Sequence, residues 1–170
     1  MFEPCVLGVD PGVATVGVAA VALQDRKPVL VWADTLRTSP DMADEARLRV
    51  IHEGVRAAIA AHHPTSLALE RVAWNVNKVS AMAVARATGV ILLAASQAGI
   101  PVEEYGPLEV KMAITGQGNA EKAQVRDALA RFHGLTEVPS QPDAADAVAV
   151  ALCHLTRSRL RTAERAAGAR

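Results

Sequence analysis

The sequence predicts one α/β domain built on a five-stranded mixed sheet with helices on both faces. Three observations lead there. The chain has 170 residues, one domain's worth. Its first third reads as three apolar runs spaced so closely that antiparallel hairpins must connect them. A fourth run is entered through a helical segment, which implies parallel pairing with a neighbour. The 34 alanines suit tight helix packing better than a β-sandwich.

Element by element, Cys5 to Val9 is a continuous apolar run, the pattern of a central strand buried on both faces. It ends at Asp10-Pro11-Gly12, a turn signal. Val16 to Leu23 forms a second strand. After a polar turn at Gln24 to Pro28, Val29 to Ala33 forms a third. Leu48, Ile51, Val55, Ala58 and Ile59 recur at helical spacing, with Arg49, Glu53 and Arg56 facing away, and Pro64 stops that helix. Ser66 to Leu69 is a fourth strand, closed by Glu70. Ser80 to Gly99 reads as helix, ended by Gly99 and Pro101. Its stretch from Val90 to Ala95 is apolar nearly all round, so one face is expected to lie against a partner subunit. Val102 to Tyr105 is a short fifth strand. Gly116-Gln117-Gly118 is a loop, Asn119 caps a helix from Glu121 to Phe132, and a final helix runs from about Asp143 to Arg159. The expected division is a single domain over 1–160 and a flexible basic tail over 161–170.

Composition excludes several classes. Hydrophobic residues make up 51% and the mean hydropathy is +0.17, so the chain is not disordered. No apolar run is long enough for a membrane span, and no Lys or Arg precedes Arg26, as a signal peptide would require. Cys5 and Cys153 lie in apolar segments and read as reduced, buried small hydrophobes of a cytoplasmic protein. The five histidines have no zinc spacing. Lys plus Arg and Asp plus Glu each number 18, a zero balance that at face value argues against a polycation acting on nucleic acid or lipid.

Carboxylates stand where structure alone does not ask for them. Asp10 and Glu70 each close an apolar strand, and ligands of open α/β sheets bind beyond such ends. Asp143 and Asp146 lie three apart at a helix start, hence on one face. Singly, each has a plain explanation as turn, strand end or cap. Jointly, they explain less well why Asp146 sits inside Ala144-Ala145-Asp146-Ala147-Val148. Converging, the four would form an all-oxygen site for Mg²⁺ or Mn²⁺, and a pair of such ions suits phosphodiester hydrolysis.

Gly8 with Asp10-Pro11-Gly12, Glu70, Lys111 after Tyr105-Gly106-Pro107, Gly118-Asn119-Ala120-Glu121-Lys122, and Asp143-Ala144-Ala145-Asp146-Ala147 follow in one order. This ordered set resembles the RuvC family of crossover junction endodeoxyribonucleases, over nearly the whole chain to about Leu155. The resemblance implies a ribonuclease H-like fold and a homodimer with two active sites. It implies Mg²⁺-dependent cutting of two symmetric strands of four-way junction DNA, and coupling to the RuvA–RuvB branch-migration complex. The family's four acids fall on Asp10, Glu70, Asp143 and Asp146, and its two lysines on Lys111 and Lys122.

Other residues extend the DNA reading. Lys111 and Lys122 would neutralise phosphate charge, and the backbone N–H groups from Gly118 through Asn119 to Glu121 suit a phosphate at a helix start. Trp74 lies in a loop with Arg71, Asn75, Asn77 and Lys78, where an aromatic can stack on an unpaired base. Many relatives carry an aromatic at the position of Ala73. Here either Trp74 takes that role or the junction is opened differently. Two other readings stand beside this one. Gly8-Val9-Asp10-Pro11-Gly12 also looks like the phosphate loop of actin-like ATPases, which need two such domains. A non-catalytic junction-binding protein, or another ribonuclease H-like nuclease, would share the fold.

Overall fold

A computed structural model describes residues 4–71, 78–131, 135 and 137–168, with side chains of 78–80 and 159–168 left aside. Five strands run β1 (Cys5–Asp10), β2 (Thr15–Gln24), β3 (Lys27–Arg37), β4 (Ser66–Glu70) and β5 (Val102–Tyr105). They form one sheet in the order β3-β2-β1-β4-β5. β1 pairs antiparallel with β2 and parallel with β4, and β5 joins β4 in parallel, so the sheet is mixed as expected. Helix α1 (Asp44–His62) supplies the crossover from β3 to β4, and α2 (Lys78–Gln97) the one from β4 to β5. α3 (Pro107–Thr115), α4 (Lys122–Arg131) and α5 (Pro142–Gly168) follow.

Strand alternation sorts the side chains into two cores. Leu7, Val9, Val18, Ala20, Leu67 and Leu69 pack under α1 and α2 with Ile51, Val55 and Ile91. Val6, Ala19, Val21 and Ala68 face the other way, against α5 and its buried Ala147, Val148 and Ala151. On that face the sheet offers small residues, and α5 lies directly on it. A Cβ placed on Gly8 would overlap the carbonyl oxygen of Ala147, and one on Gly17 would overlap that of Asp143. The many alanines therefore serve close approach of α5 to β1 and β2.

Three expectations need correction. α3 was not anticipated from the sequence, because nine residues are too few for periodicity to register. Its signals are terminal: Pro107 at the first helical position, Glu109 Oε2 accepting from the Gly106 N–H at 2.8 Å, and Gly116 in the left-handed region at φ 74°. The cap of α4 is Glu121, not Asn119: its N–H donates to Gln124 Oε1 at 2.8 Å and its carbonyl starts the helix. α5 continues past Arg159 to Gly168, since nothing between them breaks a helix and Ala, Arg, Leu and Glu favour one.

A buried polar chain ties α5 to β4 and β5. His154 Nε2 lies 3.1 Å from Ser66 Oγ, His154 Nδ1 lies 2.9 Å from the Tyr105 hydroxyl, and that hydroxyl donates to Glu103 Oε2 at 2.8 Å. A neutral imidazole protonated at Nδ1 satisfies every link. His154→Phe should cost about 1–3 kcal/mol by leaving Ser66 without its buried partner, read as a lower midpoint in urea unfolding at unchanged m. Cys5 and Cys153 are both free, and burial pushes the Cys153 thiol up to about 11. Among the described residues, no helix is long and apolar enough to cross a membrane.

Candidate active site

The sheet's alternation decides which side chains meet. Residues 6, 8 and 10 of β1 point to the α5 face, as do 68 and 70 of β4. The parallel register pairs Val9 with Leu69, which brings Asp10 and Glu70 side by side at the strand ends. From above, α5 begins at Pro142 and lays Asp143 and Asp146 over the same ends. Its first turn is anchored sideways: the buried Thr35 of β3 donates its hydroxyl to Gln141 Oε1 at 2.9 Å, while the Gln141 carbonyl accepts from Ala145 N–H at 3.1 Å. The helix dipole favours carboxylates at this terminus.

Carboxylate oxygens of Asp10, Asp143 and Asp146 lie within 4.8 Å of one another. Glu70 joins through Asp10, the two carboxyls sharing a hydrogen bond. Burial is the main reason the Asp10 carboxyl is pushed up to about 8, followed by the negative charge of Glu70, then of Asp146 and Asp143. Glu70 is also raised, first by burial; Lys122 and Lys111 act in the opposite direction. Four acids held this close are mutually repulsive without a counter-charge. Lys122 supplies part of it, its Nζ donating to Asp146 Oδ2 at 2.5 Å, and that bond raises the Lys122 ammonium further. All donors are hard oxygens, with no thiolate or imidazole among the clustered residues, which fits Mg²⁺ or Mn²⁺ better than zinc or copper.

The other residues expected from the sequence fall as follows. Lys111 projects from α3, near enough to Glu70 to act on its charge. Gly118 packs beside the Leu108 carbonyl and Met112, and Asn119 is exposed in the turn before α4. Arg71, next to Glu70, is exposed and tied to β5 through a 3.7 Å contact with Glu104 Oε2. Lys78 is the first residue of α2. Trp74, Asn75 and Asn77 lie outside the described residues. Sequence reasoning missed the seat under α5, namely Gly8, Gly17 and the Thr35–Gln141 bond. Glycines inside two strands were the available signal.

A mixed sheet in this order, with carboxylates from two adjacent strand ends and from the first turn of a helix laid over them, defines a ribonuclease H-like nuclease. Matches to known proteins then narrow the class. The chain belongs to the RuvC family of crossover junction endodeoxyribonucleases: residues 6–154 match the family model for crossover junction endodeoxyribonuclease RuvC. It is 44% identical over 165 residues to the protein of that name from Salinispora arenicola, covering 93% of each chain. The one from Thermotoga petrophila is 38% identical over 156 residues, covering 92% of this chain and 94% of its own. Among solved structures, Thermus thermophilus RuvC in complex with a Holliday junction substrate superposes with a TM-score of 0.87 at 34% identity, over 94% of this chain and 98% of that one.

Proposed function

We propose that this protein resolves four-way (Holliday) DNA junctions in recombination and repair. It nicks two strands symmetrically and leaves 5′-phosphate and 3′-hydroxyl ends that a ligase can seal. The observation that carries this reading is the convergence of Asp10, Asp143 and Asp146, with Glu70 bonded to Asp10, in a chain of the RuvC family.

In this reading the four acids hold two Mg²⁺ ions per site, with Mn²⁺ able to substitute. When bound, such ions activate a water for in-line attack and stabilise the leaving oxygen. Asp143 and Asp146 orient their carboxylates from a rigid helix start, and Asp10 and Glu70 do so from paired strands. Lys122 stands on the rim of the cluster and Lys111 on α3, so that their ammonium groups offset phosphate charge as it builds. The N–H groups around Gly118 and Asn119 hold a neighbouring phosphate. Arg71, Trp74, Asn75, Asn77 and Lys78 contact the junction arms, with Trp74 against an unpaired base.

The working unit is a homodimer, which gives two sites for two symmetric cuts. Support comes from α2: Met82 is 61% exposed and Leu93 is 50% exposed, and a Cβ on Gly89 between them would touch nothing. These three share one helix face, which opens a close apolar seam for a second copy. Ala87 and Ala94, by contrast, are buried within the subunit. The protein works in the cytoplasm with the RuvA–RuvB branch-migration complex.

Two measurements test the reading. A labelled mobile four-way junction incubated with protein and Mg²⁺ should yield paired symmetric nicks; an uncut junction with either Mg²⁺ or Mn²⁺, across several junction sequences, overturns it. Cation binding must also displace the proton Asp10 keeps up to about pH 8. The affinity for Mg²⁺ should therefore climb about tenfold per pH unit for each proton displaced from pH 6 and level off above 8, as followed by calorimetric titration.

A further inference from the structure

The groove between α4 and α5 opens directly off the acid cluster and shares only Asp146 with its carboxylates. It is a cavity of about 310 Å³. On α4, Lys122, Arg126 and Leu129 recur at helical spacing along one face; on α5, Pro142 and Asp146 do the same. Lys122 and Asp146 belong to both the cavity and the acid site, so the two share a wall.

The cavity is divided by chemistry. Its floor is aliphatic, made by the buried Val125, Leu129 and Ala145, and its rim carries Lys122, Arg126 and Asp146 beside the exposed Ala123 and Pro142. Lys122 is engaged with Asp146. Arg126, one turn further on, is exposed and has no hydrogen-bond or ion-pair partner among the described residues. An apolar floor matches the face of a base, and a free guanidinium matches a phosphate in forked geometry. The volume lies at the small end of ligand cavities, enough for one base with its sugar and too little for a base pair.

We propose that this cavity seats the nucleotide adjoining the scissile phosphate, with its base on the aliphatic floor and its phosphate on Arg126. The base enters unpaired, which the interrupted stacking at a branch point makes inexpensive. Seating it fixes the register of the strand across the acid cluster, so the pocket and not the metal ligands alone selects which bond is cut. The inference rests on the resolvase reading and names a specificity element within it.

The test uses intact junctions and junctions made abasic at the nucleotide on either side of the scissile phosphate, one at a time. Cutting of the intact junction tests the resolvase reading by itself, and the ratio of abasic to intact rates tests the pocket. The wild-type protein should cut one of the two abasic junctions about tenfold more slowly than the intact one, the size expected for losing one base contact. Ala123→Phe, on an exposed position, fills the cavity and should bring that ratio close to one. If it lowers the melting temperature, Ala123→Leu at the same position takes its place. Arg126→Gln should raise KM severalfold at unchanged kcat and reduce the dependence of log affinity on log salt by about one phosphate contact. Equal cutting of all junctions by the wild type, or an abasic penalty that survives filling of the cavity, overturns the proposal.

Discussion

Asp10→Asn is expected to abolish junction cleavage and, at the same time, to raise the melting temperature of the metal-free protein at pH 8. The two effects share one cause. Asp10 is squeezed between burial and the charges of Glu70, Asp146 and Asp143, and its carboxyl is pushed up to about 8 from an ordinary 3.8. The folded protein therefore holds a proton that the unfolded chain releases near pH 4. Between those values the folded state binds more protons, so its stability falls as pH rises and the contribution is gone above pH 8. A gap that wide corresponds to an upper bound of about 6 kcal/mol. Proton sharing with Glu70 and access of water to a half-buried group reduce what one substitution recovers to about 2 kcal/mol. For a domain of this size that is a rise of about 4–8 °C at pH 8, shrinking toward pH 4. Asn also keeps the hydrogen bond to Glu70, its amide donating where the protonated carboxyl did. Activity moves the other way by at least about a thousandfold, because an amide oxygen is a poor ligand for a hard dication and the central carboxylate of the cluster is lost. Thermal melts with chelator across pH 5 to 8, beside nicking assays, check both halves. A variant that melts lower than wild type at pH 8 would show that Asp10 is not under electrostatic strain.

That strain explains how a chain of zero net charge can serve a polyanionic substrate. Setting four of the 18 acids aside for the metal site leaves 14 against 18 basic side chains, and Arg predominates among the bases. The acid is gathered at two strand ends and one helix start, where cations offset it. The remaining surface carries a mild positive excess. Binding to plain duplex should therefore be modest and salt-sensitive, with selectivity left to junction shape.

Much of this was legible in the residues. The apolar runs gave the strands because a central strand buried on both faces leaves no other pattern. The helical spacing from Leu48 to Ile59 gave α1, and Ile51, Val55, Ala58 and Ile59 are the residues it buries. The four acids stood out only jointly: each alone reads as a turn, a strand end or a cap, Asp146 among alanines is the misfit, and the family resemblance joined them. Less legible was what brings them together. Period two puts Gly8 and Asp10 on one face, and Ala68 and Glu70 on the same one, but only the sheet order makes β1 and β4 neighbours. α3 escaped because its evidence is all in its caps. The reach of α5 escaped because an Arg-rich, Ala-rich end reads equally as tail or as solvated helix. The seat beneath α5 escaped because a glycine in a strand announces only that something comes close, not what.

Gly17→Ala tests that seat, and its effect should be large for a single added methyl group. Gly17 pairs with Asp10 across β1 and β2, directly under the first turn of α5. The added Cβ would fall on the carbonyl oxygen of Asp143, with the backbone nitrogen of Ala144 also close at 3.1 Å. Neither is the tip of a flexible side chain, so the strain cannot be relieved by a rotamer change. Either β2 bends away from the helix or α5 lifts. Lifting is resisted along the helix, where Ala147 and Ala151 crowd Gly8 in the same manner, and at its start, where Thr35 holds Gln141. Overpacking against such a fixed frame costs about 3 kcal/mol, a fall of about 6–12 °C in melting temperature. Whatever movement does occur displaces Asp143 and Asp146 relative to Asp10. A shift of about 1 Å in a metal-ligand or reacting geometry can cost on the order of a hundredfold in rate. The variant should therefore lose cleavage at temperatures where circular dichroism still reports a folded chain, and its Mg²⁺ affinity should fall with it. An alanine tolerated at Gly17 with both stability and cleavage intact would mean that α5 does not owe the placement of its acids to the bare backbone beneath it.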